Sequence, residues 1–369
     1  MKKHLVIVDL FEFGGSNSHL KTLIKYWGKA NVVIVLKHED QLAYLNNIED
    51  VQGIQTRIYS SLYQYAHLSY RFTTNFKELC YIIRAIFLVQ LLSIRYGFAD
   101  VNISTVDPEK YLYLLWLPFA RVFYTLHSTP GERYTWFTTF TCNYTLGNRK
   151  KIITVSNANR DLICKKWRVS LLKENFVYAV YNCILEDGPI DTSQTKSDGL
   201  IILTMGHVID YKNPGLWLKV AKMVIARHKH VTFVWLGNGP LWDEFKAASE
   251  SIERVLFMGA VHNPVPFLKS ALIYYQPSLS ETQGIAVVEA MSQSLPCVVS
   301  ETGGLPETVV HGYNGFVVNP TIVQDHVEAI SALLNAPAIR EEFGLNARKR
   351  VSELFSFGSF KKKMDALYL

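Results

Sequence analysis

The 369-residue chain is 49% hydrophobic and carries 38 Lys plus Arg against 32 Asp plus Glu, a formal charge of +6. That length exceeds what one core usually spans and predicts two domains of ordinary size, each able to bury a sizeable core. Five scattered cysteines, Cys80, Cys142, Cys164, Cys183 and Cys297, form no C-x-x-C pair and are odd in number; they point to a reducing compartment and away from a structural zinc.

The charge is unevenly shared. Residues 1–185 hold 22 Lys plus Arg against 13 Asp plus Glu, whereas the remainder holds 16 against 19. A basic first half suits an anionic partner, either an anionic membrane surface or a diphosphate-linked acceptor, and is equally compatible with a plain solvated face. Nucleic acid is disfavoured, because the sequence contains no recognisable nucleic-acid motif and no long basic run.

The first fifteen residues, MKKHLVIVDLFEFGG, pair two lysines with a short apolar run, but acids and a glycine pair stand where a small-residue cleavage site would be needed. Residues 5–10 are therefore expected to form a first buried strand and not a signal peptide. Gly14 and Gly15, followed by SNSHLKTLIKYW, read as a turn into an amphipathic helix; the pair either lets backbone approach a phosphate or the acceptor, or makes a simple tight turn. It lacks the three-glycine spacing of a dinucleotide fingerprint. Residues 31–36 make a second strand.

Residues 76–98, FKELCYIIRAIFLVQLLSIRYGF, are unusually apolar, yet Lys77, Glu78, Arg84 and Arg95 interrupt them and the uncharged core at 85–94 is too short to span a bilayer. A buried helix is the leading reading, and a helix lying on a membrane surface the alternative. YLYLLWLPF at 111–119 shares that ambiguity. Residues 122–126 form a strand with His127 at its carboxyl end, where ligands gather in open α/β sheets. Residues 152–163 give a strand followed by Ser156, a good N-cap for the next helix. The polar, turn-rich segment at 186–198 is the expected linker.

The second half opens with a strand ending at Gly206, followed by His207 and Lys212. VTFVWLGNGPLWDEF, at 231–245, reads as strand, turn and helix, and residues 255–263 as the next strand. QPSLSETQGIAVVEAMSQSLPCVVSETGGLPETVVHGYNGFVV, at 276–318, then reads as strand end, loop, buried helix, strand, glycine loop, second helix and turn. Within the apolar run after Gly284, Glu289 is the exception, and a carboxylate there is costly to desolvate unless hydroxyls, donors or a cation meet it. Glu281 stands in the loop before that helix. The chain closes with Phe355, Phe357 and Phe360 ahead of a basic final helix, whose Lys361–Lys363 run is either a solvated face or a further anchor for an anionic surface.

Several spacings match together over about forty residues: Glu281, Gly284, Glu289-Ala290-Met291, Pro296 and Gly303-Gly304-x-Pro306-Glu307. This pattern resembles the donor-site signature of the retaining glycosyltransferases of family 4, which have the GT-B fold. The resemblance implies an α/β protein with two Rossmann-like domains facing each other across a cleft: residues 1–185 binding the acceptor, 186–352 binding the donor, and 353–369 packing back on the first domain. It implies a nucleoside diphosphate sugar as donor, a glycan or lipid-linked saccharide as acceptor, no cofactor and no metal. No D-x-D string occurs in the chain. A cytoplasmic protein is expected, soluble or peripheral on the inner face of the cell membrane.

By the same resemblance Glu281 contacts the sugar near its reacting carbon, Glu289 holds the ribose hydroxyls, and the diphosphate lies at the helix start formed by Gly284, Ile285 and Ala286. Lys212 and His207 face the diphosphate, Gly259 and Val261 border the base, Gly14 and Gly15 line the acceptor side, and His127 reaches the donor sugar. Two positions depart from the family pattern. His207 replaces an arginine, which removes a permanent charge and a fork of donors. Cys183 replaces the glycine that usually follows Asn182. The first departure keeps a second reading open, a catalytically silent partner that binds sugar nucleotides or glycans; a sugar-nucleotide epimerase on a similar scaffold is the other enzyme alternative. A glycosidase is disfavoured, since its acid and base must flank the sugar.

Overall fold

The computed structural model describes residues 3–8, 15–36, 41–42, 45, 53–58, 76–131, 136–185 and 200–368. It divides into two compact units, residues 1–182 with 361–369, and residues 183–360. The first contains a seven-stranded sheet of β1 (Lys3–Val8), β2 (Val32–Leu36), β3 (Gln55–Ile58), β4 (Phe98–Thr105), β5 (Arg121–Leu126), β6 (Lys150–Thr154) and β7 (Val177–Ala179), in the order β3-β2-β1-β4-β5-β6-β7. The second contains β8 (Leu200–Met205), β9 (Val231–Leu236), β10 (Val255–Gly259), β11 (Ala271–Gln276), β12 (Cys297–Ser300) and β13 (Gly315–Val318), in the order β10-β9-β8-β11-β12-β13. Every pairing in both sheets is parallel.

Parallel strands covered by helices on both faces read as continuous apolar runs. VVIVL in β2 is buried at all five positions, and ALIYYQ in β11 at all six. Both sheets reverse their strand order beside the first strand, between β1 and β4 and between β8 and β11. That reversal opens a crevice at the carboxyl ends of the strands, the usual ligand position in doubly wound sheets.

Around the first sheet lie α1 (Gly15–Trp27), α2 (Phe76–Tyr96), α3 (Trp136–Thr145), α4 (Asn157–Lys166) and α5 (Leu171–Glu174). Around the second lie α6 (Pro214–Arg227), α7 (Trp242–Ser249), α8 (Val265–Ser270), α9 (Ile285–Ser292), α10 (Leu305–Thr308), α11 (Val323–Asn335) and α12 (Pro337–Leu354), and α13 (Phe357–Tyr368) ends the chain. Ser156 caps α4 as expected, its hydroxyl accepting from Asn159 N at 3.1 Å.

From Lys361 onward α13 belongs to the first unit. Tyr368 stacks on Phe123 with ring centroids 4.1 Å apart, its hydroxyl donates to Asn102 Oδ1 at 2.6 Å, and its carbonyl accepts from Arg121 Nη1 at 3.1 Å. Arg121 also donates to buried Asp100 at 2.6 Å, and His4 lies 3.2 Å from the other carboxylate oxygen. Burial alone would raise the Asp100 carboxyl, but His4 and Arg121 outweigh it and hold it below the usual range.

Three sequence expectations change, and the ambiguity at residues 111–119 is resolved. The leading reading of 76–98 as a buried helix is corrected: α2 buries one face only, with Ile82, Val89, Gln90, Leu92 and Ser93 inside and Ile83, Phe87, Leu91 and Ile94 exposed. No described helix is long and apolar enough to cross a membrane. Residues 111–119 are mostly core, with Trp116 half-buried and Phe119 exposed. The strand expected over 255–263 stops at Gly259, after a register irregularity following Phe257. The segment expected to be a turn ending at 318 contains β13. The linker at 186–198 and Gly14 lie outside the described residues, and Gly15 is the first residue of α1.

Candidate active site

In the second unit, charge collects at the switch point. β8 ends at Met205, and the loop after it turns at Gly206 and carries Lys212 in a short 3-10 segment, Asp210–Lys212. β11, its neighbour, ends at Gln276 and leads into the loop with Glu281. The two loops are tied by Leu279 N donating to Tyr211 O at 2.7 Å. Lys212 Nζ donates to Glu281 Oε1 in an ion pair whose side chains are only 13% and 10% exposed. Such shielding makes the pair stronger, and its loss more costly, than an ion pair in open solvent.

Two more donors meet the same oxygen, Gln276 Nε2 at 3.0 Å and Ser278 Oγ at 3.1 Å. Gln276 is held in turn by the Tyr274 hydroxyl, which donates to its Oε1 at 2.7 Å and accepts from Met205 N at 3.3 Å. Burial pushes the Tyr274 phenol far above its ordinary range, with the carboxylates of Glu289 and Glu281 adding to the effect, so it stays a neutral hydroxyl. The chain Tyr274, Gln276, Ser278 fixes Oε1 of Glu281 from inside the core. Oε2 takes no donor among the described residues.

Backbone geometry sets the rest. Gly303 has φ +51°, and a Cβ there would stand 1.7 Å from Glu281 O, while Gly304 N donates to that carbonyl at 3.1 Å. The glycine pair is the seat of the Glu281 loop. Gly284 caps α9 with φ 84°, and a Cβ would meet Leu305 Cδ2 at 2.7 Å. No side chain caps α9, so the first-turn amides of Ile285 and Ala286 have no intrahelical acceptor and favour an anion. Ile285, Ala286 and Glu289 are the half-buried positions of the helix, at i, i+1 and i+4; Val287, Val288, Ala290 and Met291 face the core. Glu289 thus lies on the same face as the free helix start.

Of the remaining expected donor residues, His207 is exposed, its Nδ1 lying 3.3 Å from Asn238 O. Gly259 and Val261 sit at the end of β10, where Asn238 Oδ1 accepts from Ala260 N at 2.9 Å. Gly237 N donates to Gly259 O at 2.7 Å, and a Cβ on Gly237 would stand 2.1 Å from Gly206 O, so the loops after β8, β9 and β10 close on one another. The structure therefore gathers Lys212, Glu281 and Gly206 closely, with His207 exposed in the same loop as Gly206 and Lys212, and Gly259 at the end of the neighbouring β10. Among the described residues no group of three or more His, Cys, Asp or Glu could hold a metal ion.

In the first unit, His127 follows β5 and its Nε2 shares a 2.9 Å hydrogen bond with Ser104 Oγ at the end of β4. Its ring meets His19 of α1 edge-on, with centroids 4.6 Å apart. His19 Nδ1 donates to Asn182 Oδ1 at 3.0 Å. Burial lowers the His19 imidazole to about 4 against the support of Asn182, and burial with His19 beside it pushes His127 well below its ordinary value. Both rings are neutral at physiological pH and present hydrogen-bonding nitrogens without charge.

Sequence reasoning missed His19, Ser104, Tyr274, Gln276 and Ser278. A polar Gln276 closing the otherwise apolar strand ALIYYQ was the one available signal; His19 lies beside Leu20 on the buried face of an amphipathic helix and reads as packing.

The family model for glycosyl transferases group 1 matches residues 190–350. The GPI3 subunit of phosphatidylinositol N-acetylglucosaminyltransferase from Saccharomyces cerevisiae is 26% identical over 237 residues, 61% of this chain and 52% of that protein. The alpha-1,3/1,6-mannosyltransferase ALG2 of Dictyostelium discoideum is 32% identical over 126 residues, covering 33% and 30%. The chain spans about half the length of the first of these curated relatives. Among solved structures, a glycosyltransferase from Rickettsia africae superimposes with a TM-score of 0.79 at 15% identity over 100% of this chain and 97% of that one. Anabaena Alr3699/HepE in complex with UDP and glucose gives 0.76 at 16% identity over 99% of both chains. Residues 190–350 thus resemble the glycosyl transferases of group 1, and the chain has the GT-B fold with two Rossmann-like domains.

Proposed function

We propose that the chain is a retaining, metal-independent hexosyltransferase that moves a sugar from a nucleoside diphosphate sugar to a glycan or lipid-linked saccharide in cell-surface polysaccharide or glycolipid synthesis, working at the cytoplasmic face of a membrane. One observation carries the reading: the shielded Lys212–Glu281 pair at the carboxyl ends of β8 and β11, beside the uncapped start of α9. A diphosphate seated on the amides of Ile285 and Ala286 gains from the helix dipole and from Lys212 as a point charge. Lys212 then exchanges Glu281 for phosphate oxygen and offsets the negative charge that grows on the leaving diphosphate. Glu281, kept in place by Gln276 and Ser278, is left facing the sugar, and Glu289 takes the ribose hydroxyls.

His127 serves as a neutral hydrogen-bond partner for a sugar hydroxyl, positioned by Ser104 and His19. The leaving phosphate takes the acceptor proton, so no side chain is assigned as general base. Support for a uridine nucleotide comes from the UDP bound by the Anabaena relative in fold. The protein of yeast named above acts, by its name, on phosphatidylinositol, which agrees with a lipid-linked acceptor.

The test is calorimetric titration of UDP, GDP and ADP with and without EDTA, followed by transfer assays with the matching donor. One diphosphate is expected to bind unaffected by EDTA, and binding to be lost in Lys212→Ala. Binding that needs a divalent ion, or that is unchanged in Lys212→Ala, overturns the assignment.

A further inference from the structure

The first unit carries an apolar surface that the donor and sugar chemistry does not use. On α2, Ile83, Phe87, Leu91 and Ile94 follow one another at steps of four, four and three residues, which places them along one stripe, each between 46% and 66% exposed. Phe119 stands beside this helix, its backbone N donating to Gln90 Oε1 at 3.3 Å. On α3, Trp136, Phe140 and Tyr144 form a second stripe at steps of four. Trp116 joins the two, because it belongs to the same segment as Phe119 and stacks on Phe140 at 5.7 Å and Tyr144 at 5.2 Å. Asn143, between those aromatics, accepts from Ser170 N at 2.7 Å, which brings Leu171 and Leu172 of α5 to the edge of the patch at more than 80% exposure. So many large exposed apolar groups lying together mark an interaction surface.

The loop under Phe119 is braced rather than loose. Lys150 is buried, and its Nζ donates to Leu117 O and Ala120 O, each at 2.5 Å; burial lowers its ammonium to about 8. Arg149 donates to Phe119 O from the exposed side.

Charge selects the occupant. Residues 79–99, 110–131 and 136–160, which carry the two stripes, contain no Asp or Glu; the acids on these elements are Glu78 in the first turn of α2 and Glu174 at the end of α5. Arg84 and Arg95 border the stripe on α2, and both are exposed, as are Arg149 beside Phe119 and Arg168, whose carbonyl accepts from Asn143 Nδ2 at 3.0 Å. An apolar patch rich in Trp, Tyr and Phe, rimmed by cations and poor in acids, matches an anionic bilayer surface, whose interface takes aromatic rings and whose headgroups attract arginine. We infer that α2, the Trp116–Phe119 segment, α3 and α5 together form a monotopic docking surface for an anionic lipid bilayer. The inference rests on the peripheral placement proposed above and identifies the surface that provides it.

The experiment is co-sedimentation of the full chain with vesicles of phosphatidylcholine alone and of phosphatidylcholine with phosphatidylglycerol in equal parts, at low and high salt. Binding is expected with the anionic vesicles, weakened by salt but not abolished. Phe87→Ser with Ile94→Ser, and separately Trp136→Ser with Phe140→Ser, should each lower the partition coefficient at least about tenfold. Arg84→Gln and Arg95→Gln should each lower it about fivefold at low salt and little at high salt. UDP titration on each variant, with its melting temperature, keeps a failure here apart from a failure of the transferase reading, since the patch variants should bind nucleotide like the parent. Vesicle binding that survives both double substitutions in folded protein overturns the inference. So does a parent chain that ignores vesicles but self-associates until the same substitutions make it monomeric.

Discussion

The two units share one strand order and put opposite chemistry at the ends of the strands. In the second, the ends of β8 and β11 hold an ion pair, Lys212–Glu281, drawn in by Gln276 and Ser278. In the first, the ends of β4 and β5 hold Ser104, His127 and His19, where burial keeps both imidazoles uncharged. The same topology thus places a charged cluster at one set of strand ends and a neutral cluster at the other. What differs is the side chains available in each cluster: a carboxylate with three donors tolerates burial, whereas an imidazole whose partners are a hydroxyl, an amide and another imidazole gives up its proton.

The largest expected effect comes from breaking the charged cluster. Lys212→Met should lower kcat/KM about 100- to 1000-fold, in line with the loss of one electrostatic donor to a developing anion. It should also destabilise the fold, because Glu281 is left as a shielded carboxylate facing only Gln276 and Ser278. Adding Glu281→Gln should recover most of the melting temperature and none of the transfer. A double variant that regains transfer would mean that the pair is structural.

The neutral cluster is tested with acid. A base whose folded pKa is lowered resists protonation that the unfolded chain accepts, so stability falls as pH drops below the ordinary histidine value and levels off below the folded one. For His19 that window runs from 6.5 down to about 4 and amounts to on the order of 3 kcal/mol. The second unit has its own such group: His326 is buried, donates from Nε2 to Asn319 O at 2.9 Å, and is lowered to about 4, chiefly by burial. Melting curves from pH 7 to pH 4 should therefore flatten in part with His19→Asn and in part with His326→Asn. If each substitution lowers stability equally at every pH, neither ring titrates as described.

Gly303→Ala probes the charged cluster without touching charge. A Cβ 1.7 Å from Glu281 O, at φ +51°, must move the loop, and a cost of more than about 2 kcal/mol is expected together with weaker nucleotide binding. A melting temperature equal to that of the parent would mean that the two loops yield easily and that Glu281 is not fixed by them.

Much of this was legible in the sequence, for a physical reason. Strands buried on both faces are written as apolar runs, and the glycines of the 276–318 segment mark places where backbone meets backbone, so α9, β12 and the Gly303-Gly304 seat could be read directly. Pairings made by the sheet could not. Lys212 and Glu281 are 69 positions apart and meet because β8 and β11 are neighbours; His19 and Asn182 are 163 apart. The stripe on α2 was hidden differently, since a helix apolar on every side does not say which side the sheet will cover. His127 was found from its place at a strand end, while its neighbour His19 looked like packing.

The smallest effect concerns how the end of the chain is fastened to the first unit. Tyr368→Phe removes a hydroxyl that donates to Asn102 Oδ1, an acceptor on a residue buried in β4, and leaves the ring stacked on Phe123. About 1 kcal/mol of stability should be lost, the usual net worth of one such bond. Because Arg121 Nη1 still reaches the Tyr368 carbonyl, the helix end should loosen without detaching. Hydrogen exchange should quicken at residues 361–368, while UDP affinity, proposed above to be set in the other unit at Lys212 and α9, should not move. A change in UDP affinity would show that the two units do not divide their work as their chemistry divides, and that the final helix carries a signal from one to the other.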